Sequence, residues 1–168
     1  MSLRFAGSFH HAIGVAALAV AFLCFPAPSG AQRGPFAGLA GNWSGSGFIM
    51  VANGGRERLR CRATYAVGGD GTRLQQNLRC ASDTYRFDIN GDVVSEGGVL
   101  TGTWSETNRN VSGNVSGRVS GGQIQARIEG PGFSAAMAIN TRGSRQSVTI
   151  QSPGHEVTQV SIDLTKSR

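Results

Sequence analysis

Few residues of this chain have both the chemistry and the spacing of a catalytic centre. Nucleophile–base catalysis would have to use His155, the one histidine after residue 31, which lies in a Pro-Gly-His turn without a fixed partner in the sequence. The ten acidic residues are scattered singly, so their spacing indicates neither a metal site nor a carboxylate pair for glycoside hydrolysis. We therefore predict a protein that is not an enzyme and that uses no cofactor and no metal.

Cys61 and Cys80 are the two cysteines that follow residue 31. A lone pair in an oxidising compartment predicts one structural disulfide. Between them, Asp70-Gly71 favours a two-residue hairpin turn. Counting outward from that turn along two antiparallel strands places Cys61 directly opposite Cys80, so the turn and the cysteines predict the same register.

In that register, five arginines lie on the outer face of neighbouring strands. We call them the arginine face: Arg58, Arg60, Arg62, Arg79 and Arg86. Arg79 would lie directly across from Arg62, and a tight turn at residues 82–83 would bring Arg86 opposite Arg79. Like charges opposed across a sheet destabilise it, and arginine suits planar contact with phosphate or carboxylate. The alternatives are an anion-binding face and a solvated face whose acidic partners come from elsewhere in the fold.

After residue 31, the net positive charge lies in one half of the chain. Residues 32–87 contain eight arginines and three acidic residues, whereas residues 88–168 contain seven basic and seven acidic residues. The excess therefore belongs to the region of the arginine face, which favours an anionic partner there. The sequence contains no specific nucleic-acid motif.

After residue 40 the chain shows short period-two runs separated by glycine-rich turns, and no helical periodicity. We predict an all-β, antiparallel up-and-down barrel or barrel-like sandwich of eight to ten short strands, with no helix. Asn90-Gly91 could split the fourth run in two. The runs cover residues 42–51, 57–67, 72–80, 84–94, 99–106, 111–120, 123–130, 133–140, 146–151 and 156–165.

Residues 1–31 have the order of a secretory signal peptide. A basic start precedes an apolar run of 14 residues, 12–25, and a small-x-small cleavage site ends at Ala31. The run is short for a membrane span of roughly 20 residues. We therefore predict a periplasmic or secreted protein without a transmembrane span after cleavage. Residues 32–40 form an irregular lead-in, and residues 41–166 form a single antiparallel β domain.

Two resemblances accompany this pattern. Gly-x-Trp at residues 41–43, which recurs at 102–104, resembles the calycin barrels, the lipocalins and avidins; this implies that a tryptophan closes one barrel end and that the interior can hold a ligand. The segments at 57–62, 78–82 and 102–106 resemble a group of small exported proteins of rhizobial-type alphaproteobacteria. That group has no established activity, so its resemblance implies compartment and fold only.

Two functions follow as hypotheses. The first is an exported, non-enzymatic envelope protein whose arginine face engages lipopolysaccharide phosphate, an acidic polysaccharide or an acidic protein. The second is a calycin-like carrier of a small apolar ligand, lined by Trp43, Tyr65, Phe87 and Trp104. An interior filled by side chains would remove the carrier hypothesis, whereas a dry cavity of a few hundred Å3 would favour it.

Overall fold

Buried and exposed residues alternate along ten strands in the computed structural model of the protein, which describes residues 34–168. The strands are β1 (Gly41–Val51), β2 (Arg56–Gly68), β3 (Arg73–Ala81), β4 (Arg86–Glu96), β5 (Val99–Glu106), β6 (Val111–Ser120), β7 (Gln123–Gly130), β8 (Phe133–Arg142), β9 (Arg145–Gln151) and β10 (Val157–Lys166). Each pairs antiparallel with the next, and β1 pairs with β10, which closes the barrel. The predicted all-β fold is confirmed, as a barrel and not as a two-sheet sandwich.

The strand bounds follow the period-two runs closely. The bounds of β5, β6 and β7 are those predicted, and the others differ by at most two residues. Strand β4 continues through Asn90-Gly91 without a break. The predicted signal peptide, residues 1–31, lies outside the described residues, as do residues 32 and 33 of the predicted lead-in. Within residues 34–168, no helix is long and apolar enough to cross a membrane.

Inward-facing glycines allow the barrel to close. Gly45 and Gly47 alternate with the buried Trp43 and Ile49 along β1. A Cβ atom at Gly45 or Gly47 would overlap a backbone carbonyl oxygen of β10, from Asp163 or Ser161 respectively. Strands β1 and β10 therefore approach more closely than any side chain there would permit.

Glycines also permit close strand packing in β6, where the sequence Asn-Val-Ser-Gly occurs twice in succession. A Cβ atom at Gly113 would overlap the carbonyl oxygen of Glu129, and one at Gly117 would overlap that of Gln125. Strand β7 therefore packs closely against β6 at both glycines.

The lead-in residues form a plug at one end of the barrel, which we call the packed end. The Gly34 N–H donates to the Asp70 carbonyl at 2.8 Å, and the Phe36 N–H donates to the Gly71 carbonyl at 2.9 Å. The Phe36 side chain is completely buried, and the Trp43 indole N–H donates to the Leu39 carbonyl at 2.8 Å. These contacts attach the segment to the β2–β3 turn, so it belongs to the core.

The β2–β3 hairpin has the predicted register. Asp70 and Gly71 both have positive φ, 56° and 93°, as a two-residue hairpin turn requires. Cys61 lies opposite Cys80, and the two form a disulfide on the inner side of the wall. The predicted disulfide is confirmed.

The β3–β4 register differs from the prediction by two residues. Arg79 pairs with Asp88 and not with Arg86, which lies opposite Ala81. The turn is centred one residue later than expected, because the Ser82 N–H donates to the Tyr85 carbonyl at 2.9 Å and the Ser82 hydroxyl accepts from the Tyr85 N–H at 2.9 Å. The predicted row of three arginines is therefore wrong at its third position.

We expect Gly47→Ala to destabilise the barrel by about 2 kcal/mol, because the added methyl group must displace the backbone of β10. Gly68→Ala is the matched control, since Gly68 has extended backbone (φ −134°) and open space where a Cβ atom would lie. Urea unfolding of both variants tests this. Equal stability of the two variants would show that closure does not depend on the missing side chain.

Removing the disulfide should also lower stability. The two cysteines are separated by 19 residues in the chain, and a cross-link of that length contributes about 3 kcal/mol. The double variant Cys61→Ala/Cys80→Ala should unfold at lower urea concentration than the wild type. Reductant should shift the wild type in the same direction and leave the variant unchanged; a thiol assay that finds both cysteines free in the untreated native protein would contradict the expectation.

Candidate functional site

The barrel interior is not filled at the end opposite the plug. The loops that follow β1, β3, β5, β7 and β9 converge there, because successive strands of an up-and-down barrel run in opposite directions. We call this the open end. It contains a cavity of about 330 Å3 whose wall is mainly apolar. The wall includes Tyr85, Phe87, Trp104, Val111, Pro131, Phe133, Ile150, His155, Val157 and Val160.

Aromatic rings form much of the cavity wall and contact one another. The Trp104 and Phe133 ring centroids are 5.6 Å apart, and those of Phe133 and His155 are 5.1 Å apart. On β4 and its preceding turn, the Tyr85 and Phe87 rings are parallel with centroids 6.2 Å apart. The Trp104 indole N–H donates to the Glu129 carbonyl at 3.1 Å, which fixes the ring plane. The wall is therefore formed before any ligand binds.

A buried carboxylate, Glu106, holds the β5–β6 loop at the rim. It accepts hydrogen bonds from the backbone N–H groups of Asp88 at 2.9 Å and Arg109 at 2.7 Å, and from the Asn108 amide at 2.9 Å. Burial alone would raise the pKa of Glu106, but these hydrogen bonds outweigh burial and lower it. Glu106 is consequently an ionised structural anchor.

Arg109 covers one side of the mouth and is fixed by that anchor. Its guanidinium lies 3.4 Å from the Glu106 carboxylate, donates to the Arg86 carbonyl at 3.2 Å, and lies 5.1 Å from the centroid of the Phe87 ring. Arg109 thus presents a cation beside an aromatic wall.

A second contact joins two loops at the open end. The Tyr85 hydroxyl donates to the Glu156 carboxylate at 2.6 Å. This hydrogen bond raises the pKa of Tyr85, because ionisation of the phenol would break it and place two anions together. The Ser152 hydroxyl donates to the Val157 carbonyl at 2.6 Å and fixes the base of the loop that carries His155 and Glu156.

The four residues predicted to line an interior ligand site lie in two different parts of the barrel. Phe87 and Trp104 belong to the cavity wall, but Trp43 and Tyr65 do not. Those two rings pack edge to face, 6.2 Å apart, in the filled part of the barrel, and the Tyr65 hydroxyl donates to the Gln146 side chain at 2.7 Å. Burial raises the pKa of Tyr65. The plug packs against the end of the barrel where this pair lies.

Phe133, His155, Arg109 and Glu106 were not recognised from the sequence as members of one site. They lie in or beside loops that follow odd-numbered strands, so the up-and-down topology brings them to one end. Their positions after odd-numbered strands were therefore the sequence signal that these four residues lie at the same end of the barrel. Among the described residues, no group of three His, Cys, Asp or Glu side chains could hold a metal ion.

All five side chains of the arginine face are exposed on the outer surface of β2, β3 and β4. Arg62 lies opposite Arg79, and the Arg79 guanidinium contacts the Asp88 carboxylate at 3.1 Å. Glu57, the neighbour of Arg58 on β2, accepts from the Ser82 hydroxyl at 2.7 Å and from the Thr84 N–H at 3.2 Å. It supports the β3–β4 turn.

No protein-family model matches this chain, and no curated protein matches it. Solved structures do. Rv2717c from M. tuberculosis has a TM-score of 0.64 and 14% identity, and the match covers 79% of this chain and 94% of that chain. The S-type phycobiliprotein lyase CPES from Guillardia theta has a TM-score of 0.51 and 8% identity, with 79% and 90% covered. At these identities the likeness shows a small β-barrel fold alone; the calycin and alphaproteobacterial resemblances stay predictions.

Replacing the rim anchor should change how stability depends on pH. The folded pKa of Glu106 lies below its ordinary value of 4.5, so its contribution is complete above that value and is lost as the pH falls through the folded pKa. Glu106→Gln should cost about 2 kcal/mol at pH 6 and progressively less towards pH 3. Unfolding free energies across this range test the claim, with the exposed Glu129→Gln as control; a cost independent of pH would contradict it.

Proposed function

We propose that this protein is a non-enzymatic carrier that holds a small apolar molecule in the cavity at the open end. The observation that carries the proposal is the cavity itself. Its volume of about 330 Å3 lies within the range of roughly 300–1,000 Å3 that small-molecule sites occupy, and its wall is mainly apolar. This is the outcome that favours a carrier over a barrel filled throughout.

The polar groups at the mouth support binding over catalysis. Glu106 is engaged by three donors from the β4–β6 region, and Glu156 accepts from the Tyr85 hydroxyl. The His155 ring packs against Phe133, with no described nucleophile hydrogen-bonded to it. Side chains that are engaged in this way can orient a ligand at the entrance of the cavity.

Rigid walls strengthen the proposal, because a site that is already formed spends little conformational entropy when its ligand binds. The disulfide between Cys61 and Cys80 fits an oxidising compartment. We accordingly propose that the carrier works after export, in the periplasm or outside the cell.

Nile red fluorescence, which rises in an apolar environment, tests the proposal. The wild type should bind the dye in a saturable manner, and Val160→Phe should weaken binding by about tenfold because the larger side chain fills the cavity. Val99→Phe is the matched control, since Val99 is 48% exposed on the outer wall.

A second readout locates the dye. Trp104 lines the cavity, whereas Trp43 lies in the packed end. Dye binding should therefore quench mainly the fluorescence of Trp104, and the Trp104→Phe variant should lose most of this quenching. Unchanged binding by a folded Val160→Phe variant would refute the carrier proposal. Native mass spectrometry of protein taken from its own compartment would then identify the physiological ligand of a confirmed carrier.

A further inference from the structure

The arginine face has a geometry that suits an extended anion. Arg58, Arg60 and Arg62 occupy alternate positions of β2, so their side chains leave the strand about 7 Å apart on one face. Arg79 and Arg86 extend the charge sideways onto β3 and β4. The array is therefore linear with a lateral branch, and it spans several charged groups of a partner.

The arginine side chains are accessible because the residues beside them on neighbouring strands have small side chains. Arg60 lies between Ser46 on β1 and Ala81 on β3, and Arg62 has Ser44 on its β1 side. These small residues form the floor of a shallow depression of about 800 Å3 whose lining includes Arg60, Arg62, Arg79 and Arg86. A chain lying in it would contact guanidinium groups from both sides.

Most of this charge has no carboxylate partner within the described part of the chain. Of the five arginines, only Arg79 has a carboxylate within 4.0 Å, that of Asp88. Asp163 lies on the same surface, but Ser46 on β1 separates it from Arg60. Because β1 lies between them, the backbones of β10 and β2 are roughly 10 Å apart at this point. Arg62 also faces Arg79 directly, a repulsion that an anionic partner would relieve.

The surroundings discriminate between kinds of anion. Phe48 is the large exposed apolar residue beside this surface, and the Arg56 guanidinium covers its ring at 3.6 Å. The Phe48 ring is therefore not free to stack on nucleic-acid bases or to insert into a lipid bilayer. Guanidinium groups do match carboxylates, which they bind through two parallel hydrogen bonds.

We propose that the arginine face binds an acidic polysaccharide, with its carboxylate groups lying along β2. The inference concerns a surface on the outside of the barrel and is independent of what the cavity holds. Contact is electrostatic and distributed over several sugars, so affinity depends on salt: screening extends over about 30 Å at 0.01 M ionic strength but only about 8 Å at 0.15 M.

Polygalacturonate, with neutral dextran as the uncharged comparison, is the probe that tests this. The double variant Arg60→Gln/Arg62→Gln should weaken polygalacturonate binding by about tenfold at low salt. Arg118→Gln/Arg127→Gln removes the same net charge from exposed positions of β6 and β7 and should leave binding nearly unchanged. Arg60→Lys/Arg62→Lys keeps the charge but loses the planar fork, and should bind with intermediate affinity.

Three results would overturn the proposal. The first is no salt-sensitive binding of polygalacturonate by the wild type, and the second is an equal loss of affinity in both glutamine double variants. The third is tighter, Arg60- and Arg62-dependent binding of phosphatidylglycerol vesicles or single-stranded DNA, which would assign the face to another class of partner. Val160→Phe should bind polygalacturonate normally, so failure of the carrier proposal and failure of this one give different results.

Discussion

Closure of β1 against β10 is the constraint on which the other features depend. Without side chains at Gly45 and Gly47, the two strands meet with backbone against backbone, and the sheet acquires no free edge. A barrel closed in this way has a fixed circumference, and this fixes the space inside it. Side chains such as Trp43 and Ile49 fill part of that space, and a cavity of about 330 Å3 lies at the open end.

The two ends of the barrel divide stability from binding. At the packed end, Phe36 and Trp43 are buried and linked to the β2–β3 turn, so this end contributes to the core. At the open end, hydrogen bonds and one ion pair hold the rim without filling the interior. Arg109 also connects the cavity to the arginine face, because it donates to the carbonyl of Arg86 while lying over Phe87. The two proposed sites share a structural neighbour although their ligands differ.

Sequence patterns between neighbouring residues predicted the strands of the barrel well. Period-two alternation located the ten strands, and the turn at Asp70-Gly71 placed Cys61 opposite Cys80. Both signals act between near neighbours in sequence. The Ser82 turn was misplaced because a side-chain hydrogen bond selected its centre, and short polar turns offer several centres of similar propensity.

Features that depend on distant parts of the chain were harder to foresee. Phe36 lies in a segment without periodicity, so nothing local indicated that it fills one end of the barrel. Trp43 and Tyr65 were predicted to line a ligand site because both face inward. An inward position does not reveal whether other side chains already fill the space beside it. A cavity is a volume left by many side chains together, and alternation alone does not measure it.

The closed topology joins some strands that are close in sequence and two that are far apart. The β2–β3 hairpin joins residues close in sequence, and its disulfide is formed within that hairpin, so this unit requires no other strand. Closure instead pairs Trp43 with Lys166, across nearly the whole described chain, and such distant contacts form slowly. The edges of β1 and β10 that face each other stay unpaired until this contact forms. During that interval the molecule is most open to pairing with a second copy of itself, which makes the rate of closure a determinant of yield as well as of structure.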